Sequence, residues 1–176
     1  MRTIEELFML IQSFSPFSES FMPHKLNIVL VEPEIPMNTG TIGRLCLAIG
    51  ATLHLIEPLG FEITNAKLRR AGLDYWKFVK VEIYPNLNNF LQKIQPDSPK
   101  IFLSTKGKCE FFEHSFQENS YIFFGSETRG LPKSLLESNQ EATYRIPQYD
   151  DRIRSINIAN AVGIVVYEAI RQLGYK

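Results

Sequence analysis

A chain of 176 residues that is 44% hydrophobic and 12% aromatic can bury one substantial core and leaves little room for a second domain. Nineteen basic residues balance nineteen acidic ones, which excludes a global field for polyanions, so any nucleic acid must be held by a local patch. The two cysteines, Cys46 and Cys109, have no metal-type spacing and suit a reducing cytoplasm, and no apolar run approaches the roughly 18 residues of a bilayer span.

The N-terminal MRTIEELFMLIQSF carries Ile4, Leu7, Phe8 and Ile11 at helical spacing, but Glu5 and Glu6 stand where an export signal would be positive. The turn-rich SPFSESFMPHK then joins this appendage, residues 1–24, to a domain expected over 25–176. From there apolar runs alternate with helical patterns. Strands are expected at Asn27–Val31, Thr52–Ile56, Lys77–Ile83, Lys100–Ser104, Tyr121–Phe124 and Thr143–Ile146. Helices are expected at Thr39–Ile49, Asn65–Ala71, Leu87–Ile94, Lys133–Glu137 and Asn157–Leu173. The alternation implies an α/β fold with a mostly parallel sheet and helices on both faces. In the last helix Ile158, Ala161, Val162, Val165, Ala169 and Leu173 share one face, and Asn160 and Tyr167 another.

Three loops stand out. The first is EPEIPMNTGTIGR, Glu32 to Arg44, which enters a helix at Asn38-Thr39-Gly40 without a Walker lysine or a G-x-G-x-x-G. Asn38 reads as the helix N-cap. Arg44 lies opposite the core stripe Ile42, Leu45, Cys46 and Ile49, one turn above Gly40, where a glycine leaves space for a ligand; alone it reads equally as a solvated arginine. The second is FFGSETRGLP, where a strand breaks at Gly125 and Glu127 places a carboxylate inside the loop. The third is IPQYDDRIRSINIAN, where Ser155 reads as the cap of the final helix and Asn157 as another plausible cap. Each follows a strand of one sheet, so the three converge if they meet at its carboxyl edge.

In this order and wording the loops resemble the SPOUT class of RNA methyltransferases, and within it the TrmL type, which methylates the ribose 2′-oxygen of the wobble nucleotide of tRNA. LHLIEPLGF and KLRRAGLDYW carry the same likeness, which runs from about Leu26 to Tyr175. The resemblance implies a deep C-terminal trefoil knot, a homodimer whose active site is completed across the interface, and S-adenosylmethionine as methyl donor. It places the cofactor against Leu103, Ser104, Thr105, Gly125, Glu127, Ile146 and Pro147, with Ser155 and Asn157 toward its methionine end. Arg44 matches the catalytic arginine, with Asn38 and Tyr167 beside it. For a tRNA anticodon arm the candidate contacts are Lys67, Arg69, Arg70, Arg129, Arg152 and Arg154. The third motif departs from the usual DSRSxN: here it reads DDRIRSIN, with an extra residue between Ile146 and Ser155 and no serine at Asp151. The alternatives are a 2′-O-methyltransferase for another tRNA or rRNA position, and a module that binds cofactor and RNA without turnover. A metal is not expected, nor a membrane; the expected location is the cytoplasm.

Overall fold

In the computed structural model, which describes residues 25–62 and 74–174, all seven strands run parallel in one sheet of order β3-β2-β1-β6-β4-β7-β5. They are β1 Asn27–Val31, β2 Thr52–Ile56, β3 Val81–Tyr84, β4 Lys100–Leu103, β5 Cys109–Glu110, β6 Tyr121–Phe124 and β7 Thr143–Arg145. The helices are α1 Pro36–Ile49, α2 Leu87–Leu91, α3 Lys133–Ser138 and α4 Ile158–Gln172. The central strands are nearly continuous apolar runs because both faces are covered. On one face Ile28, Leu30, Leu53, Leu55, Ile122 and Phe124 meet Ile42 and Cys46 of α1 and Val162, Val165, Val166 and Ala169 of α4. On the other, Val29, Val31, Phe102 and Phe123 meet Phe90 of α2 and Leu135 of α3.

Two expectations shift. The run expected as a strand over Lys77–Ile83 is a 3-10 turn, Asp74–Phe78, followed by the strand Val81–Tyr84; the aromatic residues Tyr75 and Trp76 pack against α1 instead of entering the sheet. The second helix is also shorter than Leu87–Ile94, because regular turns end at Leu91. The helix expected at Asn65–Ala71 and the N-terminal residues 1–24 lie outside the described residues, as do Lys67, Arg69 and Arg70. Among the described residues, no helix is long and apolar enough to cross a membrane.

One polar group inside the second core layer has a measurable consequence. His54 is 4% exposed and is ringed by Phe90, Tyr121 and Tyr84, with centroids at 5.1, 5.7 and 5.9 Å. The amide of Asn27 donates to the carbonyls of Lys25 and Asn119, which leaves its Oδ1 to accept from His54 Nε2 at 3.1 Å. Nδ1 has no hydrogen-bond partner, and the nearest acid, Glu82, stands 3.9 Å away and hydrogen-bonds the hydroxyl of Tyr84. Burial pushes the imidazole pKa down to about 4, opposed in part by the Glu82 charge.

The folded chain thus keeps this ring neutral where the unfolded chain protonates it. The stability it contributes is fully present above about pH 6.5 and is lost as the pH falls toward 4. The loss across that window is about 3 kcal/mol. Urea unfolding of wild type and His54→Phe at pH 7 and pH 4.5 measures it: the variant should lose less stability between the two pH values, and parallel losses would disprove the assignment.

Candidate active site

The loops that follow β1, β4, β6 and β7 meet at the carboxyl edge of the sheet, as its topology dictates. Between them lies a cleft of about 510 Å³, within the usual range for small-molecule sites. Leu103, Phe124, Leu131, Ile146 and Ile158 supply apolar wall, and Ser104, Thr105, Glu127, Gln148 and Ser155 supply polar groups.

A single carboxylate ties the first two loops together. Glu127 accepts from the backbone N–H of Glu34 at 2.8 Å and of Ile35 at 3.3 Å, and from Asn38 Nδ2 at 2.9 Å. Asn38 Oδ1 in turn accepts from Asn157 Nδ2 at 3.1 Å, which joins the third loop. The sequence explains why the acid comes from a distant loop. Pro36 occupies the first turn of α1 without an N–H of its own, and Ile35, at the N-cap position, has no side-chain acceptor. A carboxylate at this helix end also meets the favourable pole of its dipole. Asn38 is therefore not the cap; it is buried inside the first turn and relays Glu127 to Asn157. Likewise Ser155 is exposed, and the cap of α4 is Asn157, whose Oδ1 accepts from the N–H groups of Ala159 and Asn160.

Glycine has a specific role at one position here. A Cβ on Gly125 would stand 1.9 Å from the backbone of Gly130, so only glycine lets the loop after β6 fold back on itself. Gly130, at φ +70, makes the return and is bridged to Ser126.

Of the residues expected to form a cofactor pocket, Leu103, Ser104, Thr105, Gly125, Glu127, Ile146, Ser155 and Asn157 all line the cleft, and Pro147 lies between two residues that do. Asn38, Arg129 and Arg154 line it too, Arg154 with its guanidinium 3.4 Å from the Glu127 carbonyl oxygen. Arg129 pairs with Glu32 at 3.0 Å and Glu34 at 3.5 Å, while Arg152, outside the cleft, pairs with Asp150. Arg44 and Tyr167 are exposed and stand outside the lining, on α1 and α4. The space expected above Gly40 is not open: Gly40 is buried, its carbonyl accepts from the hydroxyl of Tyr75 at 2.9 Å, and Arg44 lies over the Tyr75 ring.

Sequence reasoning passed over two neighbours of these groups. Gln148 lines the cleft with an Oε1 that is shielded from solvent and has no partner among the described residues. Tyr75 was legible only as part of a motif. The signal was the Gly40, Gly43, Arg44 spacing, which leaves a groove on one face of α1 for an aromatic group. Among the described residues no group of three or more metal-ligating side chains gathers.

A cleft at the carboxyl edge of a parallel sheet, walled by the loops after β1, β4, β6 and β7, is the ligand site of an α/β protein, and the chain belongs to the SpoU rRNA Methylase family, whose model matches residues 25–167. The tRNA (cytidine(34)-2′-O)-methyltransferase of Escherichia coli K12 is 51% identical over 152 residues, 85% of this chain and 95% of that protein. A solved structure described as giving insight into the 2-OH methylation of C/U34 on tRNA is 42% identical, with a TM-score of 0.81 over 88% of this chain and 99% of the other. An AdoMet-bound rRNA methyltransferase from Sinorhizobium meliloti is 25% identical, with a TM-score of 0.75 over 86% of this chain and 57% of the other.

The carboxylate bridge yields a direct test. Glu127→Gln replaces one acceptor oxygen with an NH₂ that faces other donors, so at least one hydrogen bond to a charged group is lost, at about 1.5–3 kcal/mol. Urea unfolding at neutral pH should show a loss of that size; an unchanged midpoint would mean that the three loops hold together without it.

Proposed function

We propose that this protein transfers a methyl group from S-adenosylmethionine to the ribose 2′-hydroxyl of the wobble nucleotide of tRNA, cytidine or modified uridine at position 34. The observation that carries the reading is the Glu127–Asn38–Asn157 chain, which gathers all three family motifs around one cleft. The similarity to enzymes of that named activity supplies the substrate.

The cleft suits the cofactor. Its volume and mixed apolar and polar wall match a nucleoside-sized ligand, and the buried, unpartnered Gln148 Oε1 is an acceptor that a bound donor would satisfy. Leu103, Ser104, Thr105, Gly125, Glu127, Ile146 and Pro147 would hold its adenosine part, and Ser155 and Asn157 its methionine end. Bound there, S-adenosylmethionine supplies an electrophilic methyl group for in-line displacement.

The chain's own residues must then align the ribose oxygen, which would gain the methyl carbon as the C–S bond breaks and the neutral thioether leaves, and stabilise the charge that develops as the hydroxyl gives up its proton to solvent water. Arg44 has that role. With a pKa above about 12 a guanidinium is a poor base, so Arg44 acts by charge and by gripping the adjacent phosphate. Asn38, already fixed by Glu127 and Asn157, orients the ribose, and Tyr167 completes the wall.

Because Arg44 and Tyr167 lie outside the cleft of their own chain, the active site is shared between the two subunits of a homodimer. In support, the same two helices expose Met37, at 68%, and Ile164 beside Tyr167, an apolar surface that a second copy would cover. Strand β7 lies between the earlier strands β4 and β5, which with family membership supports the C-terminal trefoil knot. The anticodon arm would lie along Arg154 and along Lys67, Arg69 and Arg70. Arg129 and Arg152 would exchange their carboxylates for phosphates, since ion pairs at a surface hold weakly. The methyltransferase domain spans 25–176, with residues 1–24 appended, a boundary supported by a family match that begins at 25. The enzyme works in the cytoplasm, where its tRNA is.

Methyl incorporation into tRNA, followed by nucleoside mapping, tests the reading. Wild type should methylate position 34, and Arg44→Ala should lower transfer at least about 100-fold while S-adenosylmethionine still binds in calorimetry. Equal activity in the variant would remove Arg44 from the mechanism, and methylation elsewhere would identify a different enzyme.

A further inference from the structure

Arg44 is held in place by a neighbour that no motif assignment gives a task. Its guanidinium carbon stands 4.5 Å from the centroid of the Tyr75 ring, within cation–π range. The hydroxyl of the same tyrosine donates to the Gly40 carbonyl, one turn before Arg44 in α1. The next residue, Trp76, lies so close to Gly43 that a Cβ there would be 2.4 Å from the indole. Gly40, Gly43 and Arg44 share one face of the helix, and the Asp74–Phe78 turn is docked along it. Among the described side chains no carboxylate pairs with Arg44.

We infer that Tyr75 is the positioning residue for Arg44: its ring fixes where the guanidinium points, and its hydroxyl fixes the ring to the helix that carries the arginine. The inference rests on the proposed methyl transfer and adds to it the group that orients the charge. The physical need is clear. An exposed arginine samples many rotamers, and charge stabilisation requires one of them to be in place before the reaction. A carboxylate could also fix it, but would cancel the charge that the reaction uses. An aromatic face holds the guanidinium and leaves its N–H groups free to donate at the edge.

The test is steady-state methyl transfer to unmodified tRNA by Tyr75→Leu and Tyr75→Phe. Trp76 is the only tryptophan of the sequence, so its emission reports whether the turn remains docked. Tyr75→Leu should lower kcat about 10- to 100-fold, with KM for tRNA and S-adenosylmethionine affinity within about threefold of wild type and tryptophan emission unchanged. Tyr75→Phe, which keeps the ring, should retain activity within about threefold. A Tyr75→Leu enzyme with near-normal kcat, a loss confined to KM, or a phenylalanine variant as impaired as the leucine one would each overturn the inference. Should Tyr75→Leu shift the emission, the Arg44→Lys background decides: losses that act through the guanidinium do not multiply, whereas a general structural defect does. An inactive wild type would instead refute the methyl-transfer reading itself, so the two failures are distinct.

Discussion

The loops of this site meet through one carboxylate that satisfies backbone donors of a different loop, with Thr128 and Arg129 adding contacts to Glu34 and Glu32 beside it. Glu127 follows β6 by a few residues and Glu34 follows β1 by a few. The two strands are hydrogen-bonded neighbours, so residues 93 apart in sequence are already adjacent when the sheet forms. The sheet bears the entropy of closing that loop, and the hydrogen bonds need only fix the last few dihedrals. Once α1 is held by its N-terminal end, Asn38 is fixed in its first turn, and through it Asn157 and the entry into α4. A cleft wall made of loops thereby acquires the definition of a wall made of helices.

The arrangement divides the work between the ends of the helices and their sides. The N-terminal ends of α1 and α4 face the cleft and are occupied by side-chain acceptors. The sides of the same helices pack together and carry, on their outer surface, the exposed Arg44 and Tyr167. A ligand held at the ends and a nucleophile oriented from the sides belong to different surfaces of one chain, which is why the proposed chemistry calls for two copies. Net neutrality fits this plan. Arg129 and Arg152 are matched by acids nearby, so on the proposed reading RNA would displace those acids at a few places, without attraction to a charged body.

How much of this was legible in sequence depended on the range of the interactions involved. The strands β1, β2, β4 and β6 were readable because a strand covered on both faces leaves a nearly continuous apolar run. The stretch Lys77–Ile83 misled at its start because Lys77 and Phe78 belong to a turn whose preceding residues, Tyr75 and Trp76, are claimed by a groove on α1 more than 30 residues away in sequence. The cap of α1 was misread for the same reason: Asn38 is a local candidate, but the N–H groups at the start of α1 are met by Glu127, a partner that no local pattern specifies. At α4 the cap is Asn157, one of the two local candidates there. The motifs identified most residues of the cleft, since motif residues and lining residues largely coincide. The task of Gln148 had no such signal, and that of Tyr75 had only the glycine spacing on α1, because each depends on what a neighbouring element leaves unsatisfied.

The place of β7 has a bearing on biosynthesis. Its three residues lie between β4 and β5, both made earlier in the chain. A nascent polypeptide that has emerged only as far as α3 therefore presents the margin of β4, with Ile101, Phe102 and Leu103, as an unfilled slot in the sheet. Until β7 emerges, β4 is an open sheet edge of the kind that invites pairing with another chain, and the three residues of β7 are the piece that covers it.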